Sequence, residues 1–151
     1  MVGVVIVTHG NLARDLVEVT AVIVGACPGV VPVAIAPEEG IAEIAKKVET
    51  AIKTADRGQG VLILTDLFGG TPSNVSLSFL QEDKVEVLSG VNLPMCIKIA
   101  TNCDSVDLKE LARLGKTTIR LSCKKMSVRR LGGPQAMRIA VRPWQNEAQP
   151  R

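Results

Sequence analysis

The chain reads as an open, doubly wound α/β domain, and three observations predict that fold class. Short runs of Val, Ile and Leu alternate with longer stretches whose apolar residues recur at helical spacing. The hydrophobic fraction, 46%, is almost entirely aliphatic, with 2% aromatic residues, as suits parallel strands covered on both faces. One of the strand-like runs holds a proline, which cannot donate to a ladder and so belongs at a sheet edge.

Val4–Thr8 is the first strand. Asn11 can cap the helix that follows, whose apolar positions Leu12, Leu16, Val19 and Ile23 run to about Gly25. Val30–Ala36 is the second strand and contains Pro32. A second helix carries the stripe Ile41, Ile44, Ala45, Val48, Ala51, Ile52 and Ala55 and stops at Gly58. Val61–Thr65 is the third strand, followed by a helix after Pro72, and Val85–Leu88 is the fourth. The loop Ser89-Gly90-Val91-Asn92-Leu93-Pro94 leads into a helix from about Pro94. Asp107 and Glu110 resemble a capping box opening a short helix that ends at Gly115, and Thr117–Ser122 reads as a fifth strand. Met137–Val141 has the composition of a further short strand.

Repeated strand–helix–strand units demand right-handed crossovers and a mainly parallel sheet. With the second strand at the edge, the order becomes 2-1-3-4. The winding then reverses between strands one and three, and open sheets bind ligands outside the carboxyl ends of the strands at that point. His9, the one histidine of the chain, and Asp66 follow those two strands directly.

At 151 residues the chain suits one domain with an appendage. Residues 1–112 carry 8 Lys/Arg against 14 Asp/Glu, net −6, whereas residues 113–151 carry 10 against 1, net +9. The expected division is therefore a compact domain over 1–122 and a basic, mobile extension over 123–151. No apolar run approaches membrane-spanning length and no secretory leader precedes the first strand, so neither membrane insertion nor export is expected. Cys27, Cys96, Cys103 and Cys123 are scattered, with one histidine to join them, which argues against a zinc site and for free thiols in the cytoplasm. Trp144 is the only aromatic near the basic tail, so base stacking is poorly provided for and nucleic acid is not an expected partner.

Imidazole has an available lone pair near neutral pH, and a carboxylate at one ring nitrogen fixes the tautomer that frees the other. Asp66 is the carboxylate the topology brings to His9; Asp15 lies on the following helix and is expected to face solvent. In Gly69-Gly70-Thr71-Pro72-Ser73-Asn74, Thr71 suits the N-cap and Pro72 the first helical position. The amides of Ser73 and Asn74 at that helix start can hold an anion, Gly69 and Gly70 let the backbone come close, and the Thr71 hydroxyl can donate to phosphoryl oxygens or merely cap the helix. Gly115-Lys116-Thr117 resembles the end of a P-loop, but Glu110 stands where its first glycine belongs. There is no nucleophile elbow and no dinucleotide fingerprint.

Three segments in order, Val5-Ile6-Val7-Thr8-His9-Gly10, Asp66-Leu67-Phe68-Gly69-Gly70-Thr71-Pro72-Ser73-Asn74 and Ser89-Gly90-Val91-Asn92-Leu93-Pro94-Met95, resemble the IIA component of the mannose-type phosphoenolpyruvate-dependent sugar phosphotransferase system. The resemblance spans roughly residues 1–122. It implies four parallel strands plus a fifth, antiparallel one, Thr117–Ser122, exchanged between the subunits of a homodimer. It also implies a protein-histidine phosphotransferase: His9 accepts a phosphoryl group from the histidine-containing phosphocarrier protein and passes it to a IIB protein. Asp66 is then the partner of His9, Thr71, Gly70 and Ser73 hold the phosphoryl group, and no metal or organic cofactor is needed. Leu67 departs from members with a polar residue there, which leaves that contact to Thr71 and the backbone. A regulatory module, switched by phosphorylation and without a transport role, is the alternative from another class. The dihydroxyacetone kinase phosphotransfer subunit is similar in fold, but the Gly-Gly-Thr-Pro-Ser-Asn loop argues against it.

Overall fold

The computed structural model describes residues 1–122, 124–130 and 137–143. In chain order the elements are β1 (Gly3–His9), α1 (Leu12–Val24), β2 (Val30–Ile35), α2 (Ile41–Ala55), β3 (Val61–Thr65), α3 (Thr71–Leu77), β4 (Val85–Ser89), α4 (Leu93–Ala100), α5 (Leu108–Ser122), β5 (Lys124–Arg130) and β6 (Met137–Pro143). The first four strands form one parallel sheet in the order β2-β1-β3-β4, as the pattern predicts. β5 and β6 pair antiparallel in a separate two-stranded sheet.

Reversal of winding puts the helices on both faces. Val4, Ile6, Leu62 and Leu64 pack with α1, α4 and α5 on one side. Val5, Val7, Val61 and Ile63 pack with α2 and α3 on the other. Alternate residues of β1 and β3 thus feed two cores, which is why these strands read as unbroken apolar runs. The α2 stripe behaves as its spacing predicts, with Ile44, Val48, Ala51 and Ala55 buried. Burying a side chain such as Ile44 or Val48 contributes about 1.5–3 kcal/mol, so packing rather than capping holds this helix.

Three local expectations are corrected. Most of the apolar stripe assigned to α1 is turned away from the core: Leu12, Val19 and Ile23 are exposed, while Leu16 packs against the core and Ala13 and Thr20 are buried. The cause lies at the helix start. Asn11 makes no side-chain cap, and the buried Thr8 hydroxyl instead accepts the Ala13 amide at 2.7 Å, which fixes the phase of the helix. Second, the helix opening at Leu108 does not end at Gly115, and Thr117–Ser122 is its continuation rather than a strand. Gly115 serves close packing, since a Cβ there would lie 2.8 Å from Leu88 Cδ2 and 3.2 Å from Ile99 Cδ1. The Thr117 and Thr118 hydroxyls donate to the carbonyls of Arg113 and Leu114, four residues back, so both hydroxyls are satisfied within the helix. Asp107 does cap the Glu110 amide at 2.8 Å, but Glu110 pairs with Arg113 instead of closing the box.

Third, Gly70 rather than Thr71 is the N-cap of α3, so Thr71 and Pro72 are its first two helical residues. Part of the basic extension, including Trp144, lies outside the described residues. Met137–Pro143 is a strand, as its composition suggests. Among the described residues no helix is long and apolar enough to cross a membrane.

Candidate functional site

β1 and β3 are hydrogen-bonded neighbours with Val7 opposite Thr65, so the residues just beyond them meet at the carboxyl end of the sheet. His9 Nδ1 lies 2.9 Å from Asp66 Oδ2, and the same oxygen accepts the His9 backbone amide at 3.0 Å. The other carboxylate oxygen, Oδ1, accepts the Leu67 amide at 2.8 Å. Burial pushes the Asp66 carboxyl up, but the His9 amide, the His9 ring and the Leu67 amide outweigh it and hold the group below its ordinary range. An ionised carboxylate only accepts. Nδ1 must therefore donate, and the lone pair of the ring belongs to Nε2.

Nε2 faces the start of α3. A Cβ at Gly70 would stand 3.0 Å from His9 Cε1 and 3.5 Å from Nε2, so the bare backbone at position 70 is what lets the loop lie against the ring. Gly69 supplies the turn with φ +82°, a conformation L side chains resist. The Asn74 side chain donates to the Gly69 carbonyl at 3.1 Å and holds the loop closed. Its backbone amide is engaged as well, donating to Gly70 at 2.9 Å, so Asn74 does not offer the free amide expected of it. Pro72 has no N–H. Thr71 and Ser73 are thus left with the amides of this turn that lack an intrahelical acceptor. Ser73 is buried as a whole residue, so its hydroxyl is not presented at the surface, whereas Thr71 is exposed.

The ring itself is open to solvent, with 52% of the His9 side chain exposed against 15% for Asp66. Leu67 and Phe68 stand out beside it at 62% and 79% exposure, an apolar rim where a soluble surface is usually polar. Asp15 is exposed on α1, as expected of it. Cys96 is packed in the core, where burial pushes its thiol up to about 11, and Cys27 and Cys103 are raised for the same reason, so none is poised as a thiolate. Among the described residues no cluster of His, Cys, Asp and Glu could hold a metal ion.

The expected site residues His9, Asp66 and Gly70 are therefore brought together, with Thr71 and Ser73 on the turn that follows. What the spacing did not single out is the scaffolding: Thr8, which caps α1, and Thr65, whose hydroxyl donates to Ser89 Oγ at 3.1 Å; Asn74, expected to offer an amide, instead braces the loop with its side chain. A hydroxyl residue immediately before each of His9 and Asp66 was the available signal.

Fold and site together define a class: an open α/β protein presenting a carboxylate-supported, solvent-facing imidazole at its switch point, beside a glycine-rich helix start. Within that class the particular family is clear. The chain belongs to the EIIA-man family of sugar phosphotransferase system components, whose description is "PTS system fructose IIA component" and which it matches over residues 3–114. It is 34% identical over 112 residues to the PTS system fructose-specific EIIA component of Bacillus subtilis, covering 74% of this chain and 77% of that protein. It is 31% identical over 109 residues to the sorbose-specific EIIA component of Lacticaseibacillus casei, covering 72% and 78%. The mannose/sorbose-specific IIA subunit from Enterococcus faecalis superposes with a TM-score of 0.77 at 26% identity, covering 86% of this chain and 98% of that one.

Proposed function

We propose that the protein is a phosphohistidine carrier that receives a phosphoryl group on His9 Nε2 from the histidine-containing phosphocarrier protein and passes it to a IIB protein for sugar uptake. The observation that carries this reading is the pairing of Nδ1 with an ionised Asp66, which leaves Nε2 as the nucleophile facing the α3 turn. In the transfer, the Nε2 lone pair forms the new P–N bond while the donor's P–N bond breaks and its electron pair returns to the donor ring. Asp66 stabilises the positive charge that His9 gains, as a carboxylate does for the histidine of a Ser-His-Asp site. The amides of Thr71 and Ser73 and the Thr71 hydroxyl hold the phosphoryl oxygens, with Gly70 giving them access to the ring. The exposed apolar rim of Leu67 and Phe68 suits a protein donor and acceptor, since it offers a surface to dock on rather than an enclosed pocket.

The reading places the protein in the cytoplasm, with residues 1–122 as the carrier domain and 123–151 as a basic extension. It also makes the carrier a homodimer, and the two sheet edges favour this. On β2, Pro32 has no donor, the Val30 amide is taken by Cys27 and the Ala36 amide by Glu39. On β4, Gln81 occupies only Val85, and among the described residues the backbone N–H groups of Val87 and Ser89, on the edge away from β3, have no partner. That edge can take a strand from a second copy, for which Lys124–Arg130 has the extended backbone and Thr117–Ser122 does not.

The test is incubation with phosphoenolpyruvate, the general phosphotransferase enzyme and the phosphocarrier. One acid-labile phosphoryl group per chain, absent in His9→Ala and discharged by a IIB protein, is expected. Failure to label, or equal labelling of His9→Ala, refutes the proposal; labelling that no IIB protein discharges favours the regulatory alternative.

A further inference from the structure

We infer that Thr8 is a positioning residue for His9: its buried hydroxyl clamps the chain on either side of the imidazole and so keeps the ring in register with Asp66. The buried polar residues among those described are Thr8, Thr20, Thr65, Ser73 and Ser76, in a core otherwise built from aliphatic side chains, Met and Cys. Thr20 spends its hydroxyl within its own helix, donating to Leu16 at 2.6 Å. Thr8 is different. It ends the apolar run of β1, where valine would have the same shape, and its Oγ1 accepts the Ala13 amide from the first turn of α1 at 2.7 Å.

Only His9, Gly10, Asn11 and Leu12 lie between the two ends of that bond. The bond therefore closes a small ring of backbone with His9 as its first member. Gly10 turns the chain at φ +54° and its amide donates to Ile35 at 2.8 Å, fixing the next peptide. Asn11, the residue placed to cap α1, makes no such bond, so Thr8 has no local substitute. The consequence falls on Asp66 Oδ2, which receives both the His9 amide and Nδ1. One oxygen can meet both donors only while the backbone and the ring of His9 keep their relative orientation. Without the clamp the start of α1 is freed, the His9 torsions widen, and Nδ1 loses its fixed acceptor. The proton then divides between the two ring nitrogens, and the fraction with a free Nε2 falls.

The test is the nitrogen-15 spectrum of His9 in the full chain, together with the phosphorylation rate, for wild type, Thr8→Val, Thr8→Ser and Thr8→Cys. Wild type and Thr8→Ser should show one tautomer, protonated at Nδ1. Thr8→Val should move the two nitrogen signals toward each other and slow phosphorylation by about tenfold to a hundredfold, as small misplacements of reacting groups do. Thr8→Cys keeps the bulk with a poorer acceptor and decides the matter if Thr8→Val does not fold: a shift toward mixed tautomers is expected. A folded Thr8→Val or Thr8→Cys with the wild-type tautomer pattern overturns the inference, even if its melting temperature falls, because Thr8 would then be a cap and nothing more. The kinetic arm rests on the proposed phosphoryl transfer. The spectral arm does not, so a wild type that fails to phosphorylate refutes the carrier reading while the tautomer comparison still decides the role of Thr8.

Discussion

At the amino ends of its strands the protein closes on itself, whereas at the carboxyl ends it opens. Val2 donates to Cys103, Gly3 to Gly60, Val4 to Gly29 and Val61 to Lys84, each by backbone alone. Gly3 is packed so tightly that a Cβ would sit 2.4 Å from the Ala55 carbonyl oxygen. At the other end the imidazole is half exposed, Leu67 and Phe68 project into solvent, and the carboxylate of Asp66 binds three N–H groups that a loop would otherwise leave to water. Both ends belong to the same two strands. The difference teaches where each property resides: the amino end fixes the strands against one another, and that rigidity permits a polar, accessible pair at the carboxyl end.

If this division is right, substitutions at the two ends separate chemistry from stability. The largest chemical effect after loss of His9 itself is expected from Asp66→Ala. Steady-state phosphorylation should fall on the order of 10²- to 10⁴-fold, in line with loss of a tautomer-fixing carboxylate. The same variant has a pH signature. Because the folded pKa of Asp66 is lowered, its ionised form stabilises the fold above the ordinary value of about 3.9, and that contribution is lost as pH falls through the lower folded value. Denaturant titrations below pH 4 should therefore show a steeper acid loss in wild type than in Asp66→Ala.

At the opposite end, Gly3→Val forces a side chain into backbone that cannot yield. It should cost about 3 kcal/mol of unfolding free energy, read from denaturant midpoints, while the folded fraction phosphorylates normally. Gly70→Val is its counterpart at the carboxyl end, where the obstructed neighbour is the His9 ring. Stability should change by less than about 1 kcal/mol, and phosphorylation should fall about a hundredfold. The smallest effect is expected from Phe68→Asp, which touches neither the ring nor the core. It should raise the KM for the phosphocarrier several-fold and leave the melting curve unchanged. A Gly3→Val protein that folds normally but fails to phosphorylate would break the division.

The comparison also explains what the sequence made legible. Strand order followed from apolar runs and one proline, because Pro32 excludes itself from any central position and right-handed crossovers leave little freedom afterwards. The meeting of His9 and Asp66 followed from that order, since both stand at strand ends flanking the reversal. The cap of α1 did not follow, because Asn11 has the right residue type in the right place and loses to a threonine three residues earlier in the strand. Nor did the length of α5, where Gly115 reads locally as a stop and only the tertiary neighbours Leu88 and Ile99 show it to be a contact. Caps and stops are decided by groups that arrive from other elements, whereas strand order is decided by what each strand must bury.

The most direct measurement is the position of the phosphoryl group on the ring. Nitrogen-15 and phosphorus-31 spectra of the protein phosphorylated through the relay should show the P–N bond at His9 Nε2, with Nδ1 still protonated and hydrogen-bonded to Asp66. A phosphoryl group on Nδ1, or on any residue other than His9, would contradict the account.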